Sequence, residues 1–235
     1  NSYSEMAVWS KGGTSGGLVG IASNIFIDNA YATGDVYQLS GTNSYGDLGG
    51  LVGSLSGTYG GIFNSYATGD ITTSQSNSSN FAGGLVGAST SNISNSYAIG
   101  TVTSYGYAAG GLAGYSTGDI SNSYATGQVS VHDLGQTYGY AGGLVGRLDG
   151  AGISNSYYNN STDSTGIQGK YVGGLVGRID NSGTITNSYT ATKIYKYATS
   201  KKGLYYNGTA GIITNSYFDN TILTGMSDDA TYGKS

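Results

Sequence analysis

Two carboxylates are the best candidates for chemistry in this chain of 235 residues. Asp35 and Asp70 each lie four residues after a tyrosine of a recurring motif. If the motif marks successive turns of a coiled chain, the two side chains would lie one strand spacing apart, near the ~5 Å between the carboxyl groups of a retaining glycosidase. The positions four residues after the later motif tyrosines carry no acidic residue. Two solvated turn residues therefore explain the pair more simply. Catalysis and weak calcium binding remain minor alternatives.

Histidine and cysteine, on which metal centres and nucleophilic triads usually depend, offer little here. The chain has no cysteine, and its single histidine, His132, is far in sequence from its single glutamate, Glu5. We assign neither residue a role. The sequence therefore predicts a protein that is not an enzyme and that uses no metal or cofactor.

The elements that would position any site are set by two recurring motifs. Gly-Gly-Leu-Val-Gly occurs at residues 16–20, 49–53, 83–87, 142–146 and 173–177, with a Leu-Ala variant at 110–114 and a degenerate copy around Leu204. About ten residues after each comes Ile-x-Asn-x-Tyr. Its isoleucines are Ile27, Ile62, Ile93, Ile120, Ile153, Ile185 and Ile213. Its asparagines are Asn29, Asn64, Asn95, Asn122, Asn155, Asn187 and Asn215. Its tyrosines are Tyr31, Tyr66, Tyr97, Tyr124, Tyr157, Tyr189 and Tyr217. The mean period is 31 residues.

This period is typical of a solenoid, a propeller or an array of small units. The three marked residues of Ile-x-Asn-x-Tyr alternate, so we expect them on one face of a strand and the small residues between them on the other. A propeller blade needs about 40–45 residues, and the chain has no proline, which would interrupt strands paired on both sides. The sequence therefore predicts an all-β, parallel β-solenoid of about seven coils, forming a single domain over residues 1–235 with a partial first coil at 1–15.

Stacking of the coils turns each repeated position into a column. We expect the motif leucines and isoleucines to form the core. The asparagines should lie at a corner, where each amide bonds the next one or caps a turn. The tyrosine rings should stack with their hydroxyls near water. The glycines should permit a sharp bend or let two backbone layers approach closely.

The segment between each tyrosine and the next leucine varies most in length, so a binding surface is expected at that edge. Its aromatic residues are Tyr37, Tyr45, Phe81, Tyr105, Tyr107, Tyr138, Tyr140, Tyr171, Tyr195 and Tyr197. We take five as candidate ligand-binding residues: Tyr105, Tyr107, Tyr138, Tyr140 and Tyr171.

The composition favours an extracellular or cell-surface protein. Charged residues make up only 9% of the chain, and the net charge is -4. Basic residues do not cluster as a nucleic-acid site requires. No apolar run approaches the roughly 18–20 residues that cross a bilayer. We therefore expect no nucleic-acid partner and no membrane span.

Gly-Gly-Leu-Val-Gly followed by Ile-Ser-Asn-Ser-Tyr-Ala-Thr-Gly resembles the GLUG-motif repeat of bacterial surface proteins, best at residues 83–100 and 110–127. The resemblance implies a non-catalytic module of a secreted adhesin or haemagglutinin-like protein, serving as a stalk or a surface fibre. A carbohydrate-binding module that uses the tyrosine-rich edge is the alternative, with a glycan or a host surface as ligand. Because the chain starts within a motif, we also expect end-to-end self-association or continuation of a longer solenoid.

Overall fold

The computed structural model describes residues 1–39, 46–73, 80–132, 138–160, 166–194, 198 and 200–219. Within these ranges all regular structure is β, and every strand pair is parallel. The chain winds through four sheets, which we name A to D, and returns to the same sheet once per repeat. The expected parallel β-solenoid is confirmed. The described part of the chain contains no helix long and apolar enough to span a membrane.

Each coil passes from sheet A to sheets B and C and then through two successive segments of sheet D. Sheet A contains Ser2–Ser4, Ala30–Ala32, Tyr66–Ala67, Tyr97–Ala98, Tyr124–Ala125, Tyr157–Asn160, Tyr189–Thr192 and Tyr217–Phe218. Sheet B contains Val8–Ser10, Val36–Gln38, Ile71–Thr72, Val102–Ser104, Val129–Val131 and Ile167–Gln168. Sheet C contains Ser15–Gly16, Leu48–Gly49, Phe81–Gly83, Ala108–Gly110, Tyr140–Gly142, Tyr171–Gly173 and Ser200–Lys202.

Sheet D has two halves that merge at its C-terminal end. The first half contains Val19–Ser23, Val52–Ser56, Val86–Ser89, Ala113–Ser116 and Val145–Asp149. The second half contains Phe26–Asp28, Gly61–Phe63, Asn92–Ser94, Ile120–Ser121 and Gly152–Ser154. The longer strands Val176–Thr186 and Tyr205–Thr214 run through both halves.

The core is built from the leucine and isoleucine columns, as expected. Five of the six motif leucines are fully buried, namely Leu51, Leu85, Leu112, Leu144 and Leu175. The isoleucines from Ile27 to Ile185 are buried and line up in register from coil to coil. Leu18 and Ile213 are only partly buried because they belong to the outermost described coils.

The asparagine corner overturns the expected strand alternation. All seven motif asparagines have φ between 46° and 52°, in the left-handed region that asparagine tolerates better than most residues. This corner ends the strand, so the next residue points inward and the tyrosine points outward. In the repeat around Ile93, for example, Ile93 and Ser96 are buried whereas Asn95 is exposed and Tyr97 is half-buried. The prediction that isoleucine, asparagine and tyrosine share one face was therefore wrong.

The motif glycines let sheet C and the first half of sheet D approach backbone to backbone, as expected. A methyl group added to Gly114 would lie 2.6 Å from the backbone nitrogen of Ala82 and 2.6 Å from the carbonyl oxygen of Gly87. A methyl group on Gly110 would lie 2.6 Å from the nitrogen of Gly146. No side chain fits between these layers, which explains why glycine recurs there.

Candidate functional site

The tyrosine column forms a continuous stack on the outside of sheet A. Ring centroids are 4.9–5.0 Å apart from Tyr3 to Tyr189, and neighbouring planes deviate by 10° or less. Tyr217 is the register partner of Tyr189 in the next strand of sheet A. The predicted ring stacking is confirmed. Because each ring covers the faces of its neighbours, the stack presents ring edges rather than open faces to a ligand.

A buried serine ladder lies directly behind the asparagine corner, and sequence reasoning missed it. Its members are Ser65, Ser96, Ser123, Ser156, Ser188 and Ser216. Each hydroxyl donates to the carbonyl two residues earlier and accepts the backbone N–H of the preceding coil. The signal was available, because serine follows the asparagine in six of seven motifs. The exception, Ala30, donates its own N–H to Ser65.

The asparagine side chains bond one another only near the C-terminal end of the described column. Asn187 donates to Asn155 and Asn215 donates to Asn187, both at 3.2 Å. At the other end, Asn29 and Asn64 donate instead to the carboxylate of Asp28. The shared feature of the column is therefore its backbone conformation rather than a continuous amide ladder.

Asp35 and Asp70 lie in adjacent coils, and each carboxylate accepts a backbone N–H of the next coil. Asp35 Oδ1 accepts from Asp70 at 2.8 Å, and Asp70 Oδ1 accepts from Thr101 at 2.7 Å. Asp35 Oδ2 also accepts from the hydroxyl of Tyr37 at 2.9 Å. These bonds give both residues a role in joining adjacent coils.

Four of the five candidate binding tyrosines come together where sheet C meets the first half of sheet D. The ring of Tyr107 lies 5.1 Å from that of Tyr138 and 5.5 Å from that of Tyr140, and Tyr140 lies 5.4 Å from Tyr171. Tyr105 is directed elsewhere and stacks on His132 at 4.8 Å. Tyr45, Tyr195 and Tyr197 lie outside the described residues.

Two arginines that sequence reasoning did not select complete this arrangement. Arg178 donates to the hydroxyl of Tyr140 at 3.0 Å, and its guanidinium lies 5.3 Å from the ring centre. Arg147 lies 5.9 Å from the ring centre of Tyr107. We call these six residues the tyrosine-arginine cluster: Tyr107, Tyr138, Tyr140, Arg147, Tyr171 and Arg178. Each arginine directly follows a Gly-Gly-Leu-Val-Gly motif. The repeat alone therefore indicated that Arg147 and Arg178 lie side by side in neighbouring coils.

The arginines of the cluster are neutralised by two acids. Arg147 contacts Asp180 at 2.7 Å and Asp149 at 3.3 Å, and Arg178 contacts Asp180 at 2.9 Å. Burial lowers the pKa of Arg178, but its hydrogen bonds to Asp180 and Tyr140 outweigh this effect and raise the pKa overall. Burial also raises the pKa of Tyr107. Both guanidinium groups of the cluster are therefore paired with carboxylates.

Accessibility differs sharply among the cluster tyrosines. Tyr140 is 3% exposed, Tyr138 is 42% exposed, and Tyr107 and Tyr171 are half-buried. The ring of Tyr138 is therefore the one most open to a ligand. In the described ranges, no three histidine, cysteine or acidic side chains are grouped so that they could hold a metal ion.

Comparison with protein families identifies the repeat. The model described as the GLUG motif matches residues 44–72, 79–103, 105–130 and 168–194. No curated protein and no solved structure gave a significant match. The matched segments include strands of all four sheets and both recurrent motifs. The chain therefore carries GLUG motif repeats in four stretches.

Proposed function

We propose that this chain is a non-catalytic structural module of an extracellular surface protein, acting as part of an adhesin stalk or a surface fibre. The observation that carries the proposal is the uninterrupted series of ladders along the coils. Stacked tyrosines run from Tyr3 to Tyr189 outside the rod, and bonded serines run from Ser65 to Ser216 inside it. Each coil is thereby tied to its neighbours on several sides, as a stiff spacer requires.

The surface chemistry supports an extracellular location. Net charge and charged content are low, and the outside of the sheets carries Tyr, Asn, Ser and Thr side chains. The GLUG repeats point the same way, since the resemblance is to bacterial surface proteins. Protease treatment of intact cells, followed by detection with an antibody to residues 80–132, tests the location. Complete protection in intact cells, with digestion after lysis, would contradict it.

The first described coil supports end-to-end association. Its strands pair on one side with the second coil, and it exposes large apolar side chains, including Trp9 at 64% and Phe26 at 71%. Such an edge accepts further parallel strands by β-augmentation. We propose that another coil, from a longer chain or from a second copy, covers this face.

Sedimentation and electron microscopy test the association. Concentration-dependent rods that disappear in a Trp9→Lys, Phe26→Lys double variant would support contact between copies. A folded monomer at every concentration would show that copies do not pair through this face. Ile99→Lys is the matched control, because this exposed side chain lies in the middle of the rod.

Carbohydrate binding at the tyrosine-rich edge is the second candidate function. The exposed ring of Tyr138 beside Tyr107 and Tyr140 supports it, because aromatic faces pack against the apolar faces of sugars. A glycan array that binds the parent chain but not a Tyr138→Ala, Tyr171→Ala variant would support this role. Tyr59→Ala, which removes an even more exposed ring elsewhere, is the control.

A further inference from the structure

A shallow groove crosses the outer face of the second half of sheet D, and none of the five candidate ligand-binding tyrosines lines it. Its volume is about 520 Å³. The lining comes from four successive coils, with Asn92, Asp119, Gly152 and Thr184 in one column. Ser121, Ser154 and Thr186 form the second column. Three coil steps of about 4.8 Å make the groove roughly 14 Å long, which accommodates two or three sugar rings.

One member of the first column, Gly152, has no side chain. A methyl group on Gly152 would lie 3.0 Å from Thr184 Oγ1 and 3.4 Å from Asp119 Oδ1. In other coils the same column holds the larger side chains of Phe26 and Asn92. Gly152 has no positive φ that would require glycine. A side chain added at Gly152 would therefore crowd Asp119 and Thr184, which approach each other over this residue.

The groove presents hydrogen-bonding groups that the fold uses only in part. Asp119 Oδ1 accepts the N–H of Gly152 at 2.8 Å, and Asn92 Oδ1 accepts the N–H of Asp119 at 3.0 Å. These bonds hold both side chains in place. Asp119 Oδ2, the Asn92 amide nitrogen and the hydroxyls of Ser121 and Ser154 have no hydrogen-bond partner among the described residues. A carboxylate oxygen beside several hydroxyls and an amide is suited to binding vicinal sugar hydroxyls.

An aromatic platform lies on the same face, next to the groove. Phe63 occupies the column that continues into Ser94, Ser121 and Ser154, and its ring covers Gly61. The ring of Phe26 lies 5.9 Å from that of Phe63. Apolar ring faces beside hydroxyl-binding groups provide both kinds of contact that a pyranose ring makes.

We infer that this groove binds a short neutral oligosaccharide. The charge of the lining distinguishes this ligand from others, because Asp119 is its only charged residue and would repel a uronic or sialic acid. A single carboxylate also provides too few ligands for calcium, which takes six to eight oxygens. The inference does not depend on the tyrosine-arginine cluster, which belongs to sheet C and the first half of sheet D.

Titration of the isotope-labelled chain with neutral trisaccharides, followed by amide chemical shifts, tests the inference. The probes are cellotriose, chitotriose, maltotriose and mannotriose, with trigalacturonate as the anionic comparison. We expect at least one neutral trisaccharide to shift the amides of Asp119, Gly152 and Thr184, and trigalacturonate to shift none of them. The absence of shifts with every neutral probe would overturn the inference, as would preferred binding of trigalacturonate.

Variants then locate the binding surface. Gly152→Asn adds to the groove lining a side chain that the same column carries at Asn92. Because it displaces Asp119 and Thr184, we expect affinity to fall about tenfold or more. Asp119→Asn keeps the acceptor for Gly152 but removes the charge, and it should weaken binding without unfolding the chain. If Gly152→Asn does not fold, Asp119→Asn and Ser154→Ala provide the test.

Two controls separate this groove from the proposed carbohydrate role of the tyrosine-rich edge. Ser94 belongs to the second column, that of Ser121, but lies outside the groove lining. Ser94→Ala should therefore leave the affinity unchanged. The Tyr138→Ala, Tyr171→Ala variant should also leave it unchanged. Loss of binding in that variant, with retention in Gly152→Asn, would place the ligand at the other surface and overturn the inference.

Discussion

The hydroxyl of Ser96 accepts a hydrogen bond from the backbone N–H of Ser65 in the preceding coil, at 3.2 Å. The same hydroxyl donates to the carbonyl of Ser94 at 2.8 Å. One small side chain thus provides the acceptor for the N–H of Ser65, and it is a second donor to the carbonyl of Ser94, which also accepts the N–H of Asn64. The arrangement recurs in six coils, so the interior of the corner is held by a polar ladder rather than by apolar packing.

Ser96→Ala should destabilise the chain by about 1–3 kcal/mol, because it leaves the N–H of Ser65 buried without an acceptor. Urea unfolding monitored by circular dichroism measures the change. Ser94→Ala alters an outward side chain two residues away and should change the free energy of unfolding by less than about 0.5 kcal/mol. Equal losses in the two variants would show that the inward hydroxyl has no special role.

Asn95→Ala should lower the free energy of unfolding by about 1–2 kcal/mol, because φ is 51° at this position and alanine tolerates it poorly. Asn95→Gly should cost less, since glycine adopts the same conformation without steric strain. Comparing the two variants by thermal unfolding separates backbone conformation from side-chain bonding. If glycine were as harmful as alanine, the asparagine amide would be the stabilising feature instead.

Gly114→Ala should cost about 3 kcal/mol, because the added methyl group meets the backbones of Ala82 and Gly87 at 2.6 Å. Gly20 holds the equivalent motif position in the first coil, where the nearest atom would be the Thr14 carbonyl oxygen at 3.2 Å. Gly20→Ala should therefore be much milder. Urea midpoints of the two variants provide the measurement, and a Gly114→Ala chain as stable as Gly20→Ala would contradict close sheet packing.

The tyrosine stack should make stability fall in alkali. Burial, followed by the charges of Tyr157 and Tyr97, raises the pKa of Tyr124 above its ordinary value of 10.0. The folded chain then holds the phenolic proton more tightly than the unfolded chain, so this contribution is fully present below pH 10.0 and is lost as the pH rises through the folded pKa.

Ultraviolet titration of the phenols and urea unfolding on both sides of this pH check the effect. Tyr124→Phe should flatten part of the pH dependence of the unfolding midpoint while keeping the stack. Tyr59→Phe changes an exposed ring outside the stack and should leave the slope as it is. A parent chain whose stability does not change above pH 10.0 would refute the argument.

The repeat sequence was sufficient to predict much of the fold. The constant spacing of Ile27 to Tyr31 and of its six later copies set the register of the coils, and the buried leucines and isoleucines followed from it. Stacking then required equivalent tyrosines to meet, because neighbouring parallel strands keep equivalent residues about one strand spacing apart. The family of the repeat was also recognisable from these residues, in four stretches.

The orientation of side chains at the asparagine corner was decided by the folded structure. A positive φ at Asn95 reverses which side of the chain faces the core. The rule that side chains alternate between two faces holds only for extended backbone, so it fails at this residue. The serine ladder and the outward tyrosines both follow from that reversal. Sequence spacing therefore identified the residues of the corner but not the direction in which they point.

The sequence by itself determined the repeat, the parallel stacking and the core, because these depend on spacing and hydrophobicity that recur in every copy. The tertiary structure alone decided what differs between coils. It brought Arg178 against Tyr140, gave the carboxylates of Asp35 and Asp70 bonds to neighbouring backbones, and opened a groove at Gly152. Such contacts join residues about one repeat apart through side chains that only one or two copies carry, so no recurring pattern could reveal them.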